Sequence, residues 1–427
     1  MHPISPPSAF ITDEVAGRPE CLARAQRMIS AMDPGEVRVV SLAELSRIAE
    51  DRDWCHTPRW GEIAEPRDPD YVFAIGRFDR EEGARLLEAF PGLAHHDLVG
   101  LLTHQFRSDG EPEFHERTKG VVCQSAWQIH SMQGCPYRCA YCLLGRVNRV
   151  IVNIEDYTRH LDGWLLRDPS QTLYKWDNHG DVNCLEPEYD ATRLFVDYFA
   201  RRQDRYLEIY AGKSDNVDYL LPMEHRGRTI IQWSLAGPTQ AEVFEPRTAA
   251  WDARIEAARK CEQAGYMVRF RLSPIIPVRN WRQENTLLVK RIYERTNPDI
   301  ITLCPFGWMD AATAERCLDV EQLDPQFVDA MRAAAPFLRE RGYVQGCPFP
   351  LPHDARYAVL KHIVDDIRRI RPEQTVALCL ETEEMWRALQ AELRQTSRGY
   401  VCNCGPRCTP GQPAYDRMVG RSRSQPS

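Results

Sequence analysis

The sequence lacks the features that mark membrane and secreted proteins. None of its 427 residues belongs to an apolar run of the roughly 18 residues that a membrane-spanning helix needs. The first residues, Met1–Pro7, contain neither a basic segment nor an apolar one, so we expect no signal peptide. The sequence therefore predicts no membrane partner, and it carries no signal for an oligomeric state.

Positive charge is also scarce. Lysine and arginine number 54 against 61 aspartates and glutamates, which gives a net charge of −7. The lysines are Lys119, Lys175, Lys213, Lys260, Lys290 and Lys361. A protein that grips duplex DNA usually carries a basic footprint, because phosphate neutralisation supplies much of its affinity. The charge balance therefore favours a small-molecule substrate over a nucleic acid.

Cysteine, in contrast, is plentiful, with 15 residues. In a chain without a secretory signal, so many cysteines indicate reduced thiols or metal ligands, and hence a cytoplasmic protein. Cys135, Cys139 and Cys142 follow the spacing C-x3-C-x2-C. An electron-transfer cubane normally has four cysteine ligands, so three thiolates leave one iron open to a small molecule. The alternatives are a zinc knuckle, which needs a fourth ligand that no nearby His supplies, and unrelated core thiols.

The three-cysteine run, with the aromatic Tyr141 before its last cysteine, resembles that of radical SAM enzymes. The resemblance implies a [4Fe–4S] cluster whose open iron binds S-adenosylmethionine. It also implies that one electron from the cluster cleaves this cofactor to a 5'-deoxyadenosyl radical. The electron donor would then be of the flavodoxin or ferredoxin type.

A second cysteine cluster lies near the C-terminus, at Cys402, Cys404 and Cys408. Three thiols within seven residues of a polar loop are rarely packing residues. They predict an auxiliary iron–sulfur cluster or a zinc ion, with a fourth ligand from Cys347 or Cys379.

Short β-branched and aromatic runs alternate with amphipathic helical segments through the middle of the chain, which predicts parallel β/α units. The predicted strands are Ser125–Gly134, Thr172–Gly180, Arg205–Lys213, Thr229–Gly237, Tyr266–Ile275 and Asp299–Gly307. We expect an N-terminal α/β cap over 1–119, a barrel over 120–308, a C-terminal α+β extension over 309–409, and a flexible tail over 410–427. In such folds, sites collect at the C-terminal ends of strands.

Several ordered motifs resemble those of spore photoproduct lyases. They are Ile151–Tyr157, Tyr210–Lys213, Asn216–Leu221, Ser234–Ala236, Phe244–Pro246, Ala264–Tyr266 and Ser273–Ile275. The resemblance implies an α/β fold, a partial (β/α)6 radical SAM barrel that binds one S-adenosylmethionine. It further implies that Lys213 pairs with the methionine carboxylate, and that Ser234 and Ala236 lie near the methionine or ribose.

One segment departs from that family. Its members carry a hydrogen-donating cysteine in a Cys-Thr-Ser-Asp run, whereas this chain has Asn178-His179-Gly180-Asp181, with Cys184 three residues further on in a different register. The candidate catalytic residues are Asp177, His179, Asp181 and Cys184. With Glu186, the acidic groups could bind a cationic, polyhydroxylated substrate or remove a proton from a ketyl radical. The alternative is a solvated turn.

These departures predict a radical lyase that dehydrates an aminosugar, similar to the radical SAM diol dehydratases of aminoglycoside antibiotic pathways such as the apramycin pathway. The alternative is a DNA-repair lyase that splits the thymine spore photoproduct. A third hypothesis, a non-catalytic iron–sulfur scaffold, is disfavoured because Tyr141 and Lys213 are both present.

Overall fold

The computed structural model describes residues 1–54, 59–78, 80–93, 106–108, 120–124, 127–142, 147–166, 168–340 and 349–423. It is an α/β structure with parallel sheets, in two compact units. The first unit combines Met1–Arg107 with Trp127–Thr229, and the second combines Ser108–Ala126 with Ile230–Ser427. The boundary at Thr229 falls inside the segment that the sequence analysis assigned to one barrel.

Within the described residues, the first unit contains eight whole strands. They are β1 (Ser8–Thr12), β2 (Glu36–Val40), β3 (Asp70–Ala74), β5 (Trp127–Ile129), β6 (Met132–Gln133), β7 (Val147–Ile151), β8 (Leu173–Trp176) and β9 (Tyr206–Gly212), while β4 (Phe106–Ser108) contains the first boundary. The helices are α1 (Asp13–Ala16), α2 (Pro19–Ser30), α3 (Leu42–Asp51), α4 (Arg80–Ala89), α5 (Ile154–Leu165) and α6 (Ala191–Ala200).

One sheet of this unit has the strand order β2-β1-β3-β7-β6, parallel except for β6. All residues of the central strands β1 and β3 are buried, as expected for parallel strands that are covered on both faces. The edge strand β2 alternates between more and less exposed residues. Phe10, Val72 and Ala74 pack with Leu45 and Trp54 in the core of this sheet.

Strands β5, β8 and β9 form a second parallel set in the same unit. This arrangement corrects two predictions. The segment 1–119 is not a separate cap, because β1–β3 share their sheet with β6 and β7. The predicted strand Ser125–Gly134 is two strands, β5 and β6, which belong to different sheets. The residues between them turn the chain, and periodicity alone does not reveal such a break.

The second unit has four parallel strands in the order β10-β11-β12-β13. They are β10 (Thr229–Leu235), β11 (Met267–Ile275), β12 (Ile300–Pro305) and β13 (Thr375–Leu378). The helices are α7 (Pro238–Val243), α8 (Trp251–Gln263), α9 (Trp281–Arg295), α10 (Ala311–Cys317), α11 (Pro325–Glu340), α12 (His353–Ile370), α13 (Glu383–Ala388), α14 (Gln390–Leu393) and α15 (Pro413–Arg423). In α8, the predicted apolar face is confirmed, since Ile255, Ala258 and Cys261 are fully buried.

The prediction of a flexible tail after residue 409 is wrong for α15. Tyr415 and Val419 in this helix are buried, and the Tyr415 hydroxyl donates a hydrogen bond to Asp299 Oδ2 at 2.7 Å. The segment is mostly polar, so its composition did not reveal Tyr415 and Val419, which lie four positions apart on one face of the helix. Among the helices of the described residues, none is both long and apolar enough to cross a membrane.

Candidate active site

The loop that carries Cys135, Cys139 and Cys142 is anchored through its backbone. The carbonyl oxygens of Ala140–Cys142 accept hydrogen bonds from the segment Arg59–Gly61: Gly61 N–H to Ala140 at 2.9 Å, the Arg59 guanidinium to Tyr141 at 2.5 Å, and Trp60 N–H to Cys142 at 3.2 Å. These bonds use backbone carbonyls, so they anchor the loop without engaging its thiols.

The three thiols are candidate ligands of an iron–sulfur cluster. None of them is in a disulfide, and Cys139 is 6% exposed while the other two are partly exposed. Within the described ranges, no three His, Cys, Asp or Glu side chains are arranged to hold one metal ion. A cubane instead takes each thiolate on a different iron. Burial is the main cause that raises the pKa of the Cys135 thiol well above its usual value, so metal binding there would release a proton.

Of the predicted cofactor residues, Tyr141 belongs to this loop and Lys213 lies beside it. The Lys213 ammonium is 6.0 Å from the centroid of the Tyr141 ring, at the outer limit of a cation–π contact. Asp181 Oδ2 accepts a hydrogen bond from the Lys213 backbone N–H at 2.7 Å. At Gly212, where φ is +57°, a Cβ atom would come within 2.5 Å of that carboxylate. Asp181 therefore fixes the end of β9, and with it the start of the Lys213 side chain.

Asp177 is buried completely and its oxygens are used within the chain. It accepts hydrogen bonds from the backbone N–H groups of Ser131 at 2.7 Å, Met132 at 3.0 Å and His179 at 3.2 Å. It also lies 2.8 Å from His130 Nδ1, which places the donated proton on that nitrogen. The Asp177 carboxylate thus fixes the backbone of Ser131 and Met132, which precede the cysteine loop in the chain.

His130 was missed by the sequence analysis. It follows β5 directly, it is 3% exposed, and its ring stacks on that of His179 with centroids 4.2 Å apart. Within the described residues, its Nε2 has no hydrogen-bond partner. A titratable residue directly after a buried parallel strand was the signal that could have found it.

Cys184 and Glu186 are both buried in the first unit. The Cys184 sulfur lies 2.7 Å from the carbonyl oxygen of Asp181. Burial, and then the charge of Asp181, raises the pKa of this thiol well above its usual value, so it stays protonated. Glu186 caps α6, since its carboxylate accepts from the backbone N–H groups of Asp190, Ala191 and Thr192 at 2.8 to 3.0 Å.

The remaining predicted residues belong to the second unit. Ser234 lies near the end of β10, its carbonyl oxygen 3.3 Å from a guanidinium nitrogen of Arg254, and Ala236 follows that strand in a buried position. Cys402 and Cys408 are buried and Cys404 is partly exposed. The structure thus brings the first cysteine loop together with Asp181, Cys184 and Lys213.

The chain resembles known proteins in the region that contains this site. The family model for spore photoproduct lyase matches residues 123–309, which include the cysteine loop and Lys213. Over the part that carries the cysteine loop, the chain is similar to spore photoproduct lyases. The chain is 25% identical to spore photoproduct lyase of Clostridium acetobutylicum over 176 residues. This aligned segment covers 40% of this chain and 52% of the relative. The chain is 28% identical over 157 residues to the enzyme of Bacillus subtilis, covering 35% and 46%.

The chain matches about half the length of these curated relatives. Solved structures are similar in fold. A point mutant of spore photoproduct lyase superposes with a TM-score of 0.59 at 15% identity, covering 89% of this chain and all of the other. A second mutant, solved with S-adenosylmethionine and dinucleoside spore photoproduct bound, gives a TM-score of 0.58 at 15% identity, covering 89% and 100%. These findings favour the photoproduct-lyase alternative over the aminosugar dehydratase that the sequence analysis put first.

Proposed function

We propose that this chain is a radical SAM lyase that acts on a pyrimidine photoproduct of the spore photoproduct type. The observation that carries the proposal is the anchored three-cysteine loop with Tyr141 and Lys213 beside it, inside a segment matched by the spore photoproduct lyase model. The net charge of −7 does not oppose this substrate, because a dinucleotide lesion needs fewer phosphate contacts than a duplex.

In this proposal, Cys135, Cys139 and Cys142 would hold a [4Fe–4S] cluster, which, once reduced by an electron donor, would supply one-electron reduction of bound S-adenosylmethionine. Lys213 provides a point charge for the methionine carboxylate. Asp181 positions Lys213 through its backbone, and Asp177 positions the segment Ser131–Met132. Ser234 and Ala236 remain proposed contacts of the methionine or ribose. An oxygen-labile cluster needs a reducing compartment, so we propose the cytoplasm.

Cys184 is our candidate for the thiol of the site. It is held protonated, as a hydrogen-atom donor must be. Its side chain is fully buried, however, and its register differs from that of the family's donor cysteine. A Cys184→Ala variant that still cleaves the cofactor but diverts the product from the one formed by the unchanged protein would support a donor role. An unchanged product would exclude it.

A second candidate, dehydration of an aminosugar, is favoured by one observation. Asp177 orients His130 through Nδ1, and the buried Nε2 lacks a partner among the described residues, so the pair could take the hydroxyl proton that a ketyl mechanism must remove. His179 stacks on this ring and would help to fix it. Photoproduct cleavage has no need for such a base.

One experiment separates the two candidates. Reduced, reconstituted protein is incubated anaerobically with S-adenosylmethionine and either dinucleoside spore photoproduct or aminosugars deuterated at their carbinol carbons, and 5'-deoxyadenosine is quantified. Stimulation by the photoproduct, with release of two thymidine units, supports the first candidate. Stimulation by an aminosugar alone, with deuterium in 5'-deoxyadenosine, overturns it in favour of the second.

A further inference from the structure

Five cysteines of the second unit come from three separate segments. Cys304 lies in β12 and Cys379 follows β13 directly, while Cys402, Cys404 and Cys408 occupy the loop that precedes α15. The two strands pair in parallel, and Cys379 N–H donates to the carbonyl of Leu303 at 2.8 Å, so Cys304 and Cys379 are neighbours across the sheet. The spacing of these cysteines along the sequence does not show that Cys304 and Cys379 lie side by side.

Buried polar groups hold the C-terminal cysteine loop in place. The Arg269 guanidinium pairs with Asp299 at 3.0 Å, with both side chains almost completely buried, and donates to the backbone carbonyls of Asn403 and Cys408. The Asn403 side chain in turn donates to the carbonyl of Phe270 at 3.0 Å. These bonds fix the loop against β11 without using any thiol.

The loop directs its sulfurs toward one another. Cys402 N–H lies 3.4 Å from the Cys408 sulfur. At Gly405, a Cβ atom would be 2.5 Å from the Cys408 sulfur and 3.3 Å from the Cys402 sulfur. A side chain at Gly405 would therefore displace the thiols, and glycine keeps the space between them open. The Thr302 hydroxyl donates a hydrogen bond to the Asn403 side chain at 2.8 Å, which places the loop against β12, the strand of Cys304.

The Arg271 guanidinium lies next to the thiols of Cys304 and Cys379. Arg271 Nη2 is 3.1 Å from the Cys379 sulfur and 3.4 Å from the Cys304 sulfur. Neutral thiols are weak acceptors and pack as small apolar groups, so they give a guanidinium little compensation for lost water. Metal-bound thiolates are negative, and an adjacent arginine offsets part of that charge. The arginine therefore distinguishes this cluster from ordinary core cysteines such as Cys261.

We propose that Cys379, Cys402, Cys404 and Cys408 bind a second iron–sulfur cluster, flanked by Cys304 and Arg271. Cys347, the other fourth ligand that the sequence suggested, lies outside the described residues. The cluster would connect the loop before α15 to the ends of β12 and β13. The proposal does not depend on which substrate the first unit takes.

Iron content after anaerobic reconstitution tests the proposal. Unchanged protein should hold about eight irons, in two cubanes. A C135A/C139A/C142A variant should keep about four irons and a reduced-cluster electron paramagnetic resonance signal, because only the C-terminal site remains. A C402A/C404A/C408A variant should also hold about four, and should still cleave S-adenosylmethionine. Cys261→Ala, which removes a buried thiol of α8, is the matched control and should keep the full amount.

The C135A/C139A/C142A variant tests the proposal even if the C402A/C404A/C408A variant does not fold. A C135A/C139A/C142A protein that is folded by circular dichroism but retains no iron overturns the second cluster. If the isolated protein contains stoichiometric zinc, and only the C402A/C404A/C408A variant loses it, the site binds zinc and the iron–sulfur assignment is overturned. Neither result bears on the proposed lyase function, which is tested by 5'-deoxyadenosine formation.

Discussion

The carboxylate of Asp181 accepts a hydrogen bond from the backbone N–H of Lys213 at 2.7 Å. The two residues are separated by the whole of α6 and β9, so this bond connects the loop after β8 to the end of β9. It makes the acidic residue a positioning group for the lysine that we propose as a cofactor ligand.

Removing the Asp181 carboxylate should weaken cofactor binding through Lys213. We expect Asp181→Ala to raise the KM for S-adenosylmethionine several-fold, and Asp181→Asn to have a smaller effect because the amide oxygen can still accept the bond. Steady-state formation of 5'-deoxyadenosine measures both. Asp197→Ala removes an exposed carboxylate of α6 and is the control. A several-fold loss in kcat with an unchanged KM for S-adenosylmethionine would contradict a positioning role for Asp181.

The Lys213 side chain should contribute to cofactor affinity directly. A charged hydrogen bond is worth about 1.5–3 kcal/mol, so we expect Lys213→Met to weaken S-adenosylmethionine binding by roughly 10- to 100-fold. Equilibrium dialysis with the reconstituted protein measures the dissociation constant. Lys290→Met, at an exposed position on α9, should bind normally. Equal affinities of the Lys213 and Lys290 variants would exclude the assignment.

Asp177 should matter for stability. Asp177→Ala leaves the N–H groups of Ser131 and Met132 without their acceptor, at a cost of about 1–3 kcal/mol for each buried group. Asp177→Asn retains an acceptor oxygen and should cost less. The shift in the urea midpoint of the protein, followed by circular dichroism, gives the comparison. Similar midpoints for the alanine variant and the unchanged protein would mean that these bonds do not organise the loop.

Glu186 should act as a helix cap and not as a substrate ligand. We expect Glu186→Ala to lower the unfolding free energy by roughly 1–2 kcal/mol, because three N–H groups at the start of α6 lose their acceptor. Once reconstituted at low temperature, the variant should keep its KM for substrate. Glu242→Ala, on an exposed position of α7, should change neither quantity. A raised substrate KM with unchanged stability would return Glu186 to the substrate site.

Local patterns in the sequence predicted much of the structure. The alternation of apolar runs located β8 to β12, and the spacing of Ile255, Ala258 and Cys261 located α8. The compact C-x3-C-x2-C run located the first cysteine loop because all of its chemistry lies within eight residues.

Long-range pairing could not be predicted in the same way. The bond between His130 and Asp177 joins residues 47 positions apart, and Arg59 reaches the carbonyl of Tyr141 across 82. The convergence of Cys304 and Cys379 depends on the register of two strands. Periodicity reports which face of an element is buried, but not which element covers it. The pairing of β3 with β7, which merged the predicted cap with later strands, was hidden for this reason.

The central claim is that the anchored loop of Cys135, Cys139 and Cys142 holds the cluster that cleaves S-adenosylmethionine. The most direct measurement is 5'-deoxyadenosine formation by Cys139→Ala, reduced under anaerobic conditions, beside the unchanged protein and the Cys261→Ala control. The account predicts formation by the unchanged protein and the control, and none above background by Cys139→Ala. Undiminished formation by that variant would contradict the claim.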